Sequence, residues 1–272
     1  MSMGTIFGFG LSLILIIGSI IASTSTPSVF INYPSLLIVV GGTVATVFIS
    51  YEFKTAIKAL KLMGVAFKNH KDAASSLKDQ VGLMVKWGYT IQKNGLQGLE
   101  NEITEEFRAE NEFLSYGVDL VVTGYTGAEV KQILLQSIEA KEAREKTTID
   151  ALKKMGGDAP AFGMLGTLIG LVIMLGNMGA DPSSIGPSMA VALITTFYGV
   201  FAARLFFIPL ATKMAARADV STFKNYLQVE GLMLLAERKS PRFIQDKINS
   251  FVDASEQFSI DDDMKATPKE GE

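Results

Sequence analysis

Long stretches of this sequence contain no charged residue. There is none between residues 1 and 51, between residues 159 and 180, or between residues 182 and 203. A chain that folds in water distributes its charges so that every surface can be hydrated, whereas a charge in hydrocarbon is costly. The three stretches therefore predict an integral membrane protein, and all 25 Lys and Arg residues lie in the two blocks that are expected to stay in water.

The apolar stretches are long enough to cross a bilayer four times. A helix rises about 1.5 Å per residue, so a hydrocarbon core of about 30 Å needs about 20 apolar residues. The four segments that qualify are residues 5–23, 34–52, 158–178 and 187–210. A short polar turn joins the first and second segments, and another joins the third and fourth. The chain is therefore predicted to form two transmembrane helical hairpins.

Lysine and arginine follow the second and fourth segments and precede the third, but neither short turn contains one. The positive-inside rule then places both termini and the central segment in the cytoplasm. Helical spacing without strand alternation predicts an all-α fold, with four transmembrane helices and a helical cytoplasmic domain. The predicted domains are a first transmembrane hairpin (1–52), a cytoplasmic helical domain (53–156), a second transmembrane hairpin (157–212), C-terminal cytoplasmic helices (213–257) and a disordered tail (258–272).

The third and fourth segments carry small and hydroxylic residues that lipid contact does not require. Between helices in lipid, close van der Waals contact drives association, and small residues permit it. Such residues at similar depth in two helices predict a close-packed, partly polar seam, with ordinary packing as the alternative. The residues concerned are Gly163, Gly166, Thr167 and Gly170 in the third segment and Thr195, Thr196 and Tyr198 in the fourth.

Pro160 and Pro209 lie near the expected cytoplasmic ends of the third and fourth segments. Each lacks an amide donor and disfavours α geometry in the residue before it. The sequence leaves open whether each proline bends its span or lies at the end of a helix.

No acidic residue lies at the middle of any predicted span, since Asp158 is at the cytoplasmic end and Asp181 is in an outer turn. Ion-driven membrane machines usually hold a carboxylate at that depth. An ion-coupled function would thus need a carboxylate from another chain, and an autonomous channel or transporter is disfavoured.

Other function classes find little support in the sequence. It contains no cysteine and one histidine, which excludes a thiolate metal site. There is no nucleophile–base pair or phosphate-binding loop, so neither an enzyme nor a cofactor is expected. No basic patch with interleaved aromatic residues indicates nucleic acid.

Several motifs together resemble the A subunit of the bacterial flagellar stator, the MotA/PomA family. They are "GDAPAFGMLGTLIGLVIML" (157–175), "IGPSMAVALITTFYG" (185–199), "YPSLLIVVGGT" (33–43) and "SPR" (240–242). The resemblance extends to about residue 255. It implies a homopentamer in the bacterial inner membrane around two MotB/PomB-like B subunits, each with a single span that carries the ion-binding aspartate. The small-residue seam is then expected to face a B-subunit helix and to border the ion path.

The resemblance also implies roles for single residues. Pro160 and Pro209 match prolines that couple ion passage to movement of the cytoplasmic domain, and Asp158 matches an acidic residue at the cytoplasmic mouth of the ion path. Thr167 falls where sodium-driven members have threonine, which makes it a candidate Na⁺ ligand, and Thr196 matches a threonine near the ion. A sodium-driven stator is favoured, with H⁺ as the alternative. The expected set facing the ion path and the B subunit is Asp158, Gly163, Gly166, Thr167, Gly170, Thr195, Thr196 and Tyr198.

Lys93 and Glu100 fall on positions that the family uses for charge contacts with the rotor's FliG-like switch-ring protein. Gln92 replaces a basic residue that many relatives carry, so Lys86, Glu102 and Arg108 are expected to share the contact. The alternative function is that of the ExbB/TolQ group, which energises outer-membrane processes. Its members typically have three spans, and the additional N-terminal hairpin argues against it.

Overall fold

The computed structural model of the chain describes residues 3–66, 77–178, 183 and 185–261. These residues form helices and turns with no strand among them, as predicted from the helical spacing. They divide into two compact units, Met1–Asn69 with Arg144–Arg217, and His70–Ala143 with Ala218–Glu272. The first unit contains α1 (Met3–Ser23), α2 (Tyr33–Leu36), α3 (Gly42–Ser50), α4 (Phe53–Ala66) and α9 (Ile185–Phe201). The second contains α5 (Leu77–Glu102), α6 (Glu105–Glu110), α7 (Glu112–Thr123) and α11 (Pro241–Asn249), while α8 (Gly127–Asn177) and α10 (Ile208–Ala236) contribute residues to both.

Four helical segments among the described residues are long and apolar enough to cross a membrane. They are Gly4–Ser23, Pro27–Ser50, Gly127–Asn177 and Ile185–Ala236, and each overlaps one of the four predicted spans, of which the second and third were predicted to end one or two residues later. The last two ranges are longer than the predictions because each apolar span continues directly into a charged helix. The fold thus agrees with a four-span, all-α membrane protein.

The borders of the two units differ from the predicted domain borders. Residues 53–69 and 144–156 were assigned to the cytoplasmic domain but belong to the first unit. In α4, Ala56 and Ala59 are fully buried, and the Arg217 guanidinium donates a hydrogen bond to the carbonyl of Val65 at 3.3 Å. Tyr51 adopts an extended conformation (φ −132°, ψ 156°) that ends α3, so the second span and α4 are separate helices.

Both prolines lie within continuous helical segments, so the helix-end alternative is wrong for each. Pro160 is inside α8. A π-helical turn, Ala202–Phe207, joins α9 to α10 immediately before Pro209. A proline ring clashes with the carbonyl four residues earlier in an α-helix, and a wider turn relieves that clash. A second π-helical turn, Leu37–Gly41, joins α2 to α3.

The second unit has an apolar core built from α5, α7, α11 and the portions of α8 and α10 that belong to it. Its largest fully buried side chains are Trp87, Met84, Leu99, Leu114, Leu134, Ile138, Leu232, Leu235, Ile244 and Ile248. Within α5 the backbone leaves helical geometry at Gly95 (φ 69°, ψ −170°), a conformation that only glycine adopts at low cost. Gly98, three residues later, remains helical and is packed against the side chain of Asn94.

The C-terminal residues of the described chain pack onto the second unit. Ser240 caps α11 by accepting a hydrogen bond from the Phe243 amide at 3.3 Å, and Pro241 begins that helix, as expected for the first helical position. Ile260 is buried, although the disordered tail was predicted to begin at residue 258. The predicted boundary is thus too early, because an apolar side chain two residues beyond it finds a place in the core. Residues 262–272 lie outside the described part of the chain.

Candidate functional site

The predicted seam exists as a close contact between α8 and α9. A methyl group built at Gly170 would lie 2.8 Å from the Cβ of Ala192, and one at Gly163 would lie 3.0 Å from the carbonyl oxygen of Thr195. A methyl group at Gly166 would overlap the Cγ2 of Thr195. The three glycines therefore permit an approach that no larger side chain allows.

The contact continues toward Pro160. A Cβ at Gly199 would lie 2.6 Å from the carbonyl oxygen of Ala159 and 3.1 Å from the Cα of Pro160. Gly163, Gly166 and Gly170 are buried against α9 of the same chain. The expectation that these three glycines face a B-subunit helix is therefore wrong, because the fourth span already covers them. Ordinary packing within the chain, the alternative considered from the sequence, accounts for their position.

A cluster of four oxygens lies at the edge of this contact. The hydroxyl groups of Thr167 and Thr196 are 2.5 Å apart. Thr167 also donates to the carbonyl of Ala192 at 2.9 Å, and Thr196 lies 3.4 Å from the carbonyl of Gly163. Both threonines are half-buried, so part of each side chain lies at the surface of the chain, whereas Gly163 and Ala192 are buried. The structure therefore brings together the two threonines that the sequence singled out for an ion.

Thr195 belongs to a different, buried cluster. Its hydroxyl group is 2.7 Å from the carbonyl of Val191 and 3.1 Å from the hydroxyl of Ser35. Ser35 is fully buried and Thr195 is 1% exposed. The hydrogen bond to Ser35 joins α9 to α2, which gives Thr195 a structural role and separates it from the pair of Thr167 and Thr196.

Tyr198 also differs from its expected position on the ion path. Its hydroxyl group donates to the carbonyl of Phe30 at 2.5 Å and accepts from the amide of Asn32 at 2.9 Å. The Asn32 side chain in turn caps α2 by accepting from the amide of Ser35 at 3.0 Å. Because its hydroxyl group is bound to backbone of the turn between the first two spans, Tyr198 fixes that turn to the fourth span.

Asp158 has two partners that the sequence did not reveal. The Thr46 hydroxyl group donates to its carboxylate at 2.7 Å, and the Lys154 ammonium lies 3.2 Å away. Its side chain is 23% exposed, and that of Lys154 is 35% exposed. The carboxylate is thus held in place but still open to water at one end of the third span. Lys154 was detectable from its spacing of four residues on one helix, whereas Thr46 has no local signal.

Two of the five charged residues predicted to face a rotor form an ion pair on the second unit. The Lys86 ammonium is 2.9 Å from the Glu102 carboxylate, which also accepts from the Thr90 hydroxyl group at 2.6 Å. Burial raises the pKa of Glu102, but the hydrogen bonds from Thr90 and Lys86 and the charge of Lys86 outweigh it, so the pKa lies below its ordinary value. Glu102 is therefore ionised and forms an ion pair with Lys86 within the chain.

A third predicted residue, Arg108, is also engaged, since it lies 2.9 Å from both carboxylate oxygens of Asp119. Lys93 and Glu100 are exposed, and Glu100 accepts a hydrogen bond from the Gln97 side chain at 2.8 Å. Lys93 and Glu100 therefore remain the most available of the five for a contact with another protein.

Comparison with known proteins agrees with the resemblance in the sequence. A family model described as the MotA/TolQ/ExbB proton channel family matches residues 105–225. The chain is 34% identical over 223 residues to the chemotaxis protein PomA of Vibrio alginolyticus, covering 82% of this chain and 85% of that protein. It is also 34% identical over 248 residues to motility protein A of Cereibacter sphaeroides, covering 91% and 94%. The chain belongs to the MotA/PomA family.

The fold of this family member matches a solved structure over nearly all of its length. A chain of the structure of C. jejuni MotAB aligns with a TM-score of 0.81 and 24% identity, covering 93% of this chain and 97% of that one. The relatives named above are motility and chemotaxis proteins rather than enzymes. No group of three or more His, Cys, Asp or Glu side chains capable of holding a metal occurs among the described residues.

Proposed function

We propose that this chain is the A subunit of a flagellar stator, which couples cation flow across the inner membrane to torque on the rotor. The observation that carries the proposal is the oxygen cluster of the half-buried Thr167 and Thr196 on spans that hold no carboxylate at mid-membrane. Hydroxyl and carbonyl oxygens suit a hard cation, but only a carboxylate can exchange its charge as the ion binds and leaves. The missing carboxylate is assigned to a MotB/PomB-like B subunit with a single span.

Each group of residues in the third and fourth spans has its own role in the proposed function. The glycines hold the two spans together, and the threonine cluster borders the route of the cation. Asp158, with Thr46 and Lys154, forms the cytoplasmic mouth. Pro160 lies in the close contact with Gly199, and Pro209 follows the π-helical turn, so a change in the spans reaches both prolines directly.

The proposed assembly is a pentamer of this chain around two B subunits in the bacterial inner membrane. Its support is the family to which the chain belongs and the matched structure, which is that of MotAB from C. jejuni. Lysines that flank the spans favour cytoplasmic termini by the positive-inside rule. The exposed Lys93 and Glu100 are proposed to contact the switch-ring protein of the rotor.

Co-purification tests whether a second chain supplies the carboxylate. We expect the tagged chain to bring down a single-span protein with an aspartate in its membrane helix, and reconstituted vesicles to conduct cations only when both are present. Loss of swimming is expected in a strain that lacks this chain. Cation flux through the chain alone, or normal swimming in the deletion strain together with a defect in outer-membrane energisation, would favour a channel or an ExbB/TolQ-like energiser instead.

Sodium is the proposed ion, and Thr167 provides the test. Replacing Thr167 by alanine removes one oxygen from the cluster, while its neighbours Thr196, Gly163 and Ala192 keep theirs. Loss of one of the oxygens that coordinate a hard cation weakens its binding, and a loss of about 1.4 kcal/mol is tenfold in affinity, so we expect the sodium concentration for half-maximal swimming speed to rise about tenfold. Swimming speed is measured across sodium concentrations at constant ionic strength.

The matched control is Thr167→Ser, which keeps the hydroxyl group and loses only a methyl group. It should retain the sodium dependence of the parent chain. An unchanged sodium dependence in Thr167→Ala would remove Thr167 from the ion path. Swimming that follows pH and ignores sodium in the parent chain would indicate the proton-driven alternative.

A further inference from the structure

A surface groove lies on the second unit between α5 and the C-terminal segment 257–261. Its volume is about 420 Å³. Its lining residues are Gly82, Val85, Lys86, Tyr89, Thr90, Lys93, Asn94, Phe258 and Ile260. The groove therefore includes Lys93, which the proposed function assigns to the rotor contact, together with apolar side chains that this contact does not explain.

The C-terminal wall of the groove is fixed by hydrogen bonds from α11. The Asn249 side chain donates to the carbonyl of Phe258 at 2.7 Å and accepts from its amide at 3.1 Å. The buried side chain of Gln245 accepts from the amide of Ile260 at 2.8 Å. Asn249 and Gln245 thus satisfy backbone groups that would otherwise need a strand or water.

Contacts on either side hold the same segment against α5 and α11. A Cβ at Gly82 would lie 3.0 Å from the Phe258 ring, so the absence of a side chain there admits the ring. Arg242 holds both carboxylate oxygens of Asp261, at 3.1 and 3.2 Å. The wall is therefore ordered before a partner binds, which lowers the entropic cost of binding.

The lining has an apolar base and a positive rim. Val85, Tyr89, Phe258 and Ile260 supply the apolar and aromatic surface, and the charged lining residues, Lys86 and Lys93, are both basic. Because Lys86 is paired with Glu102, the positive charge available to a partner is that of Lys93. Tyr89 is 48% exposed, although a large aromatic ring is more often covered. An apolar centre with a charged rim is the usual anatomy of a protein interface, and its charge is complementary to an acidic partner.

We propose that this groove binds a short segment of the rotor's switch-ring protein that carries an apolar side chain flanked by carboxylates. The inference rests on the proposed function and deepens it, because it adds an apolar anchor to a contact otherwise described by charge alone. The apolar side chain enters the groove beside Tyr89 and Phe258, and a carboxylate pairs with Lys93. The exposed positive charge of Lys93 at the rim, beside the aromatic surface of Tyr89, favours this occupant.

Binding of the purified switch-ring protein to the full chain in detergent tests the groove. Tyr89→Ala and Phe258→Ala each remove an aromatic surface of the kind that dominates interface energetics, so each is expected to weaken binding about tenfold or more. Tyr89 is a surface residue, and its replacement therefore remains informative if Phe258→Ala fails to fold. Phe251→Ala is the matched control, because Phe251 is 44% exposed on the same unit but does not line the groove. It should bind normally.

Photo-crosslinking identifies the occupant directly. The chain has no cysteine, so Asn94→Cys introduces a unique site at the groove for a benzophenone label. We expect crosslinks to an acidic segment of the switch-ring protein, and their loss in the Phe258→Ala background. Crosslinks that go only to residues 262–272 of the same chain, with the switch-ring protein present, would overturn the proposal and assign the groove to the chain's own C-terminal end.

Charge-reversal variants separate failure of the groove from failure of the proposed function. Lys93→Glu and Glu100→Lys test the rotor contact as such. If they abolish binding while Tyr89→Ala and Phe258→Ala leave it unchanged, the groove is overturned and the rotor contact stands. If none of the four variants changes binding, the rotor contact of the proposed function is overturned as well.

Discussion

Replacing Gly166 by alanine is expected to destabilise the first unit and to abolish or strongly reduce swimming. The added methyl group would overlap the Cγ2 of Thr195, which is 1% exposed and has no space to retreat. Overpacking of a close contact costs roughly 1–3 kcal/mol, which corresponds to a fall in melting temperature on the order of 5 °C for a chain of this size. Thermal melting in detergent and swimming speed measure the two effects.

The size of the effect depends on how firmly Thr195 is held. A β-branched side chain has few rotamers, and rotating this one would break its hydrogen bonds with Val191 and Ser35 inside the protein. A buried hydroxyl group that loses its partners costs roughly 1–3 kcal/mol by itself. Thr195 therefore cannot make room for a methyl group at Gly166 by rotating or shifting without a substantial loss of stability.

Two further variants test this explanation. Gly176→Ala, on the same helix, places its methyl group where no atom beyond the neighbouring backbone of its own helix lies within 4 Å, so it should leave stability and swimming unchanged. Thr195→Ser removes the Cγ2 that Gly166→Ala would meet but keeps the hydroxyl group and the Cβ, which would lie 2.8 Å from the methyl group, so the double variant should regain part of the lost stability. If Gly166→Ala melts at the same temperature as the parent chain, the close contact does not exist as described.

The sequence was sufficient to predict the four spans and the helical class, because both follow from local composition. A run of about 20 apolar residues has few alternatives to a membrane helix. The interruption at Gly95 and the start of α11 at Pro241 are equally local, since the backbone freedom of glycine and the missing amide of proline act at their own positions. The π-helical turn before Pro209 was not predicted, because proline indicates a distortion but not its form.

The identity of the partner in the seam could not be predicted from the sequence. Small residues such as Gly163 and Gly166 indicate close approach of a helix, but they do not distinguish a span of the same chain from that of another subunit. The same limitation applies to Tyr198, whose partner Phe30 is 168 positions away in sequence. Thr167 and Thr196 were correctly brought together because their helices and depth were already known from the hairpin.

Neutralising Asp158 is expected to reduce cation flux through the complex of this chain with its B subunit about tenfold or more. Asp158→Asn leaves the Lys154 ammonium, 3.2 Å from the carboxylate in the parent chain, as an uncompensated charge at the proposed mouth. Two unit charges 4 Å apart interact with about 4 kcal/mol at an effective dielectric constant of 20. A tenfold change in flux needs only about 1.4 kcal/mol. The tenfold effect is therefore still expected if water reduces the interaction between Lys154 and the cation to about a third of the unscreened figure.

The double variant Asp158→Asn with Lys154→Gln distinguishes charge balance from a direct requirement for the carboxylate. If the positive charge of Lys154 repels the cation, removing both charges should restore most of the flux. If the cation must bind the carboxylate itself, the double variant stays as low as Asp158→Asn, and the electrostatic explanation is wrong. Thr46→Val removes one hydrogen bond to the same carboxylate and should have a smaller effect, because the charge remains.

Asp150 and Lys153 provide a matched control on the same helix. Their charged groups are 3.4 Å apart, but both side chains are more exposed than those of Asp158 and Lys154. Water screens such a surface pair, so Asp150→Asn should change neither flux nor swimming measurably. Equal losses from Asp150→Asn and Asp158→Asn would mean that flux depends on the total negative charge near this end of α8. The position of Asp158 beside Thr46 would then have no special part in admitting or releasing the cation.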